Sequence, residues 1–240
     1  MDILLCASRN MYPQLRTMML MLQDTQPKLN YIYAIIEDPF IDLPKEIDYD
    51  KIIFIDVNNY PKITRNIVNG AARWTYMCFA RCYFPDMRPN LDKVLYLDLD
   101  LYIDQDISAL WDYDLTDYAV AAIVDVNVRR FNLTYIPNIN VYFNSGVLLM
   151  NLKYMREHDM VAKMDELLNT WKMEFPDQDA LNIVCYGAIK YLSHKWNSGV
   201  ICGYHTEPII NHCVNDKPWD IKCPFFRKWI DIYLRANPQT

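Results

Sequence analysis

Short apolar runs alternate along the first half of the chain with segments whose apolar positions recur every three or four residues. Residues 3–7 read as a strand, and residues 12–23 as a helix with Leu15, Met18, Met19 and Leu22 on one face. Residues 31–36 and 51–57 are the next strands, 71–84 a long helix, and 93–98 a strand of almost continuous apolar character. Strands without polar alternation are buried on both faces, as in a parallel sheet covered by helices. The second half predicts strand-like segments at 118–125 and 141–151 and a helix over 153–171. A helix then begins near Asp177, followed by a short strand at 188–192 and a Pro-rich closing section that contains His212. No internal repeat or low-complexity linker divides the chain, so the pattern predicts one doubly wound α/β domain with an irregular C-terminal lobe. Ligands of such sheets bind beyond the carboxyl ends of the strands, where strand order reverses.

One such strand end carries a pattern with chemical consequences. Four apolar residues, Val94 to Leu97, run into Asp98-Leu99-Asp100. In a regular strand the two acids share a face, and two carboxylates held together repel unless a cation lies between them. Oxygen ligands at this spacing suit magnesium or manganese. The plainer reading is that both acids cap a turn. Asn144-Ser145-Gly146 interrupts two apolar runs, and its glycine admits close approach to the backbone. Pro176-Asp177-Gln178-Asp179 opens a helix, where acids also serve as ordinary caps and dipole partners. His212 precedes Lys217-Pro218-Trp219.

Composition narrows the ligand. The net charge is −6 without a basic run, which excludes a nucleic-acid backbone as main partner but leaves room for a single nucleotide. No apolar run approaches the ~20 residues of a membrane span, and the chain opens without a basic leader and apolar core, so a cytoplasmic location is expected. Seven cysteines without a C-x-x-C pair read as reduced thiols in such a compartment.

The motifs VLYLDLDLYI (94–103), YFNSGVLLMNL (142–152), FPDQDALN (175–182) and H-x4-KPW (212–219) follow one another in an order that resembles glycosyltransferase family 8, the glycogenin and lipopolysaccharide galactosyltransferase type. With the SRNMY step at 8–12 the resemblance covers nearly the whole chain. It implies a single Rossmann-like domain of the GT-A type: about 1–100 a nucleotide-binding half, about 101–224 a donor-sugar and acceptor half, and 225–240 a C-terminal helix. It further implies a Mn2+ or Mg2+ ion, a UDP-sugar donor, a glycan or glycoprotein acceptor, and transfer with retention at the anomeric carbon. By position, Asp98, Asp100 and His212 look like metal ligands and Lys217 like the diphosphate lysine. Arg81 and Arg73 look like basic donor contacts, while Ala7, Ser8, Arg9, Tyr12 and Leu99 fall on nucleotide-binding positions. Tyr12 or Met11 is the residue against the base, depending on the alignment. Asn144, Ser145, Gly146, Asp125 and Asp177 look like donor-sugar contacts, and Gln178 stands at the reacting face. The family's H-x-x-G-x-x-K loop is one residue shorter in this chain and lacks the glycine.

Two rivals use the same residues. A haloacid-dehalogenase-type phosphatase also places D-x-D after an apolar strand, but Tyr102 stands where that type has threonine or valine. A catalytically weak or inactive nucleotide-sugar-binding relative would explain the shortened loop. The segment at 225–235, rich in aromatic and basic residues, reads either as a membrane-surface helix or as a helix packed on the domain.

Overall fold

The computed structural model describes residues 1–38, 41–64, 76–199 and 207–238. Its strands are β1 (Ile3–Ala7), β2 (Ile32–Ile36), β3 (Ile52–Asp56), β4 (Lys93–Leu97), β5 (Leu101–Ile103), β6 (Val120–Ala122), β7 (Val147–Asn151), β8 (Ile189–Tyr191) and β9 (Ile210–His212). The helices are α1 (Tyr12–Thr25), α2 (Pro61–Thr64), α3 (Ala80–Met87), α4 (Ser108–Trp111), α5 (Leu152–Glu157), α6 (Met160–Thr170), α7 (Pro176–Val184) and α8 (Phe226–Ala236). Among the described residues, seven strands form one sheet in the order β3-β2-β1-β4-β7-β6-β8. The sheet is mostly parallel, with β7 antiparallel to both of its neighbours.

Burial explains the apolar runs. Along β1 the side chains of Ile3, Leu5 and Ala7 join one cluster with Leu15 and Met18 of α1 and Trp229 of α8. The alternate residue Leu4 joins a second cluster with Phe84 of α3, Met155 of α5, Met164 of α6 and Leu181 of α7. Helices therefore cover both faces, and neither face of these strands needs polar residues. The chain reverses strand order between β1 and β4, and both strands deliver their carboxyl ends, Ser8 and Asp98, to the same edge.

Several local readings change, and the strand-like segments at 118–125 and 141–151 shorten to β6 and β7. The expected long helix over 71–84 falls partly outside the described residues; its described part is a 3-10 turn at Tyr76–Phe79 followed by α3. The expected helix over 153–171 breaks into α5 and α6 at Asp159, which adopts φ of 53°. That left-handed residue carries no glycine signal, since aspartate is one of the few side chains that tolerates the region. The Asp98–Asp100 pair lies beyond the end of β4, so a turn and not strand alternation brings the acids together.

The C-terminal segment packs on the domain. Trp229 is buried against Trp219 and Tyr233, and Arg235 pairs with Asp24 of α1 at 2.8 Å. Among the described residues no helix is long and apolar enough to cross a membrane.

Candidate active site

A cleft of about 830 Å³ opens at the carboxyl edge of the sheet, bounded by the ends of β1 and β4, the start of α7 and the segment after β9. The turn after β4 reverses the chain into β5, and β5 pairs antiparallel with β9 so that Leu101 faces His212 in register. A backbone bond from Cys213 N–H to the Asp100 carbonyl, 3.0 Å, continues the ribbon up to the acids. Sequence-distant His212 is thereby fixed beside the two carboxylates.

One ligand atom each from Asp98, Asp100 and His212 lies within 4.8 Å of the others. His212 Nε2 is 3.2 Å from Asp100 Oδ1 and 3.8 Å from Asp98 Oδ2. The second oxygen of Asp98 is occupied: Oδ1 accepts from Tyr96 Oη at 2.5 Å and from an Arg81 guanidinium nitrogen at 3.2 Å. The second oxygen of Asp100 accepts from Lys217 Nζ at 2.6 Å. Burial opposes ionisation of Asp100, but His212 and Lys217 outweigh it and hold the carboxyl well below the usual carboxylate range. Burial likewise opposes the charged form of His212, and Asp100 and Asp98 overcome it, raising the imidazole above its ordinary value.

Two glycines make room for this histidine. A Cβ on Gly146 would run into the His212 ring and the Asp98 carboxylate, and a Cβ on Gly199, at φ 116°, would strike the His212 carbonyl. The donor set of two carboxylates and one imidazole, converging across a cradle that side chains would fill, fits a divalent ion.

Arg81 is buried and ties the metal-side acids to the other wall. It pairs with Asp177 at 2.6 Å and donates to the Ser145 carbonyl at 2.7 Å. Burial raises the Asp177 carboxyl against the pull of Arg81, and burial also raises Asp125. Asn144 Nδ2 donates to Gln178 Oε1 at 3.3 Å and to Asp125 Oδ2 at 3.4 Å, while Ser145 N–H donates to Gln178 Oε1 at 2.8 Å. Asp179 turns away from the cleft, accepting from Tyr135, Tyr142 and Phe175 N–H, and so anchors the first turn of α7.

The profile described as "Glycosyl transferase family 8" matches residues 45–220. This chain belongs to glycosyltransferase family 8. A putative glycosyltransferase of Haemophilus influenzae is 28% identical over 185 residues, 70% of this chain and 54% of that protein. General stress protein A of Bacillus subtilis is 26% identical over 61% of this chain and 60% of its own length. The chain thus spans little more than half the length of these curated relatives. The galactosyltransferase LgtC, solved with donor and acceptor sugar analogs, superposes with a TM-score of 0.81 at 25% identity, covering 100% of this chain and 98% of that one. The chain accordingly carries a family 8 glycosyltransferase domain with the GT-A fold.

The family positions converge unevenly. Ser8, Arg81, Asp98, Leu99, Asp100, Asp125, Asn144, Ser145, Asp177, Gln178, His212 and Lys217 all line the cleft, and Gly146 abuts His212. Ala7 is buried at the end of β1. The Arg9 side chain is 71% exposed and pairs with Asp38. Tyr12 is buried on α1, with its hydroxyl accepting from Asp38 N–H and donating to the Asp38 carbonyl, while Met11 lines the cleft. Arg73 lies outside the described residues. The six described cysteines are free thiols, with Cys213 and Cys223 sulfurs 3.4 Å apart. Sequence reasoning missed Asn197, which is 1% exposed and bonded to both His212 and Asn144. A signal for it exists: Asn197-Ser198-Gly199 repeats the tripeptide at 144–146.

Proposed function

We propose that this glycosyltransferase moves a hexose from a nucleoside-diphosphate sugar, UDP in the first instance, to a glycan or glycoprotein acceptor, with a divalent ion and with retention at the anomeric carbon. The observation that carries the reading is the convergence of Asp98, Asp100 and His212, with Lys217 beside them, on one wall of a cleft whose other wall is Asp125, Asn144, Asp177 and Gln178. Asp98, Asp100 and His212 would hold Mn2+ or Mg2+. Bound there, such an ion supplies positive charge opposite the developing negative charge of the diphosphate, which removes the need to protonate the leaving group. Lys217 adds a second cation, which would exchange its salt bridge to Asp100 for one to a phosphate oxygen.

The acids on the opposite wall act on the sugar. As the bond to the diphosphate breaks, the anomeric carbon becomes oxocarbenium-like, and Asp125 and Asp177 favour that positive charge while Asn144 orients hydroxyls. Gln178 orients and does not attack. Its only nucleophilic atom, Oε1, is a weakly basic amide oxygen that already accepts from Ser145 N–H and Asn144 Nδ2. The acceptor oxygen then bonds to the anomeric carbon on the face the diphosphate leaves, and a phosphate oxygen takes its proton.

A panel of nucleotide sugars with Mn2+, read as released nucleoside diphosphate, tests this reading. Release from a UDP-sugar is expected, and it should vanish on exhaustive chelation and in Asp100→Asn with the far-UV spectrum unchanged. Full turnover in chelator would sink the ion-assisted mechanism, and no release from any donor would support an inactive sugar-nucleotide-binding relative.

A further inference from the structure

His212 has two ring nitrogens, and only one can face the acids, so something must decide which carries the proton. The decision is traceable to a backbone amide. Gly146 N–H can only donate, and it lies 2.9 Å from the Asn144 side chain, so the atom there is the carbonyl Oδ1. The Asn197 side chain reaches the same Oδ1 at 2.9 Å and must present its NH2 group to it. That orientation turns Asn197 Oδ1, an acceptor only, toward His212 Nδ1 at 2.9 Å. Nδ1 must then be the protonated nitrogen, and in the neutral ring the lone pair falls on Nε2, the atom aimed at Asp98 and Asp100.

The backbone holds the relay in place. Segment 197–199 runs alongside β9, with Ser198 N–H donating to the Ile210 carbonyl at 2.9 Å and His212 N–H to the Ser198 carbonyl at 2.6 Å. Gly199 allows that approach, and the Asn197 side chain is almost wholly buried. A polar side chain desolvated this completely stays only where its hydrogen bonds are made. Metal-binding histidines are generally oriented by an acceptor on the second nitrogen, and losing that acceptor weakens metal binding.

We propose that Asn197 is a positioning residue for the ion site: through an amide relay that begins at Gly146 N–H, it keeps the His212 proton on Nδ1 and presents Nε2 as the ligand atom. The two Asn-Ser-Gly steps are then two halves of one device, each supplying an amide to the relay and a glycine that clears space for the histidine. The proposal rests on the ion-dependent reading above.

Mn2+ binding to the full chain without nucleotide, measured by the electron paramagnetic resonance of free Mn2+, tests it. Asn197→Ala removes the acceptor and should weaken Mn2+ binding roughly 10–100-fold with the far-UV spectrum unchanged. Asn197→Asp keeps an acceptor for Nδ1–H but sets its other oxygen against Asn144 Oδ1, so it should bind Mn2+ more tightly than Asn197→Ala and less tightly than the wild type, an order that a merely structural role for the side chain would not produce. A folded Asn197→Ala chain that binds Mn2+ like the wild type would overturn the assignment while leaving the ion site standing. No Mn2+ binding by the wild-type chain, either alone or with UDP, would instead remove the ion reading and this inference with it. A second measurement needs no variant: in the wild-type chain carrying Mg2+ and 15N-labelled histidine, His212 should show a proton on Nδ1 and none on Nε2. A proton on Nε2 would refute the relay.

Discussion

At the scale of single residues, the atoms that matter are those whose second valence is already occupied. Gln178 shows it most directly, because its carbonyl oxygen is held by two donors from residues 144 and 145. Gln178→Ala should therefore leave a few per cent of turnover, the order expected for losing one positioning contact, and product should keep the anomeric configuration of the donor. A glycosyl adduct on Gln178 in mass spectra of the wild-type enzyme would contradict this. Met11 lines the cleft, whereas Tyr12 is buried with its hydroxyl held by the Asp38 backbone, so the base should depend on the thioether. Met11→Ala should weaken UDP binding by about 0.5–1.5 kcal/mol, on the scale of sulfur–aromatic contacts. Tyr12→Ala should lower the melting temperature with little effect on UDP affinity, and calorimetric titration of both variants separates the two assignments. The acids, Gln178, His212 and Lys217 are legible in the sequence because their chemistry is concentrated in short motifs. Asn197 carries only the weaker signal of the repeated Asn-Ser-Gly at 197–199, which gives it no role by itself because its partners His212 and Asn144 are remote in the chain. Arg81 is legible as a basic residue, but its role as a buried tie between Asp98 and Asp177 appears only once the walls are assembled.

At the scale of elements, apolar runs locate β1 to β4 to within a residue because both faces of each are covered. The same signal is silent about direction. The apolar run of β7 reads like its parallel neighbours, yet β7 is antiparallel, which carries Asn144-Ser145-Gly146 into the same edge as the end of β4. The break between α5 and α6 is equally silent, since it depends on one aspartate in a left-handed conformation. The C-terminal helix left two readings in the sequence, and the structure decides for packing: α8 lies on α1 and supports the cleft through Trp229 against Trp219. Trp229→Ala should cost about 3–5 kcal/mol of stability in a denaturant titration. It should also weaken nucleotide binding, because Trp219 lines the cleft and loses its backing. Arg235→Ala, which breaks a largely exposed pair with Asp24, should cost under about 1 kcal/mol.

At the scale of the whole molecule, the site is a product of the topology more than of any one segment. The sheet brings Ser8 and Asp98 to one edge, α7 supplies Asp177 and Gln178, and the β5–β9 ribbon adds the histidine from the far end of the chain. Asp100 and Lys217, in contact at 2.6 Å, are separated by 117 residues. The histidine reaches the acids only when β9 pairs with β5, in a two-stranded ribbon separate from the seven-stranded sheet. The ribbon therefore makes ion binding a timer. During refolding from denaturant, helical signal and burial of the β1–β4 core should recover first. Capture of Mn2+ should lag behind them and coincide with the last slow phase. Capture of Mn2+ at full strength in the earliest phase would mean that the two acids bind it without the histidine. A chain still emerging during synthesis would hold both carboxylates and no cation trap, so the enzyme would take up its ion only after the strand that carries His212 has docked.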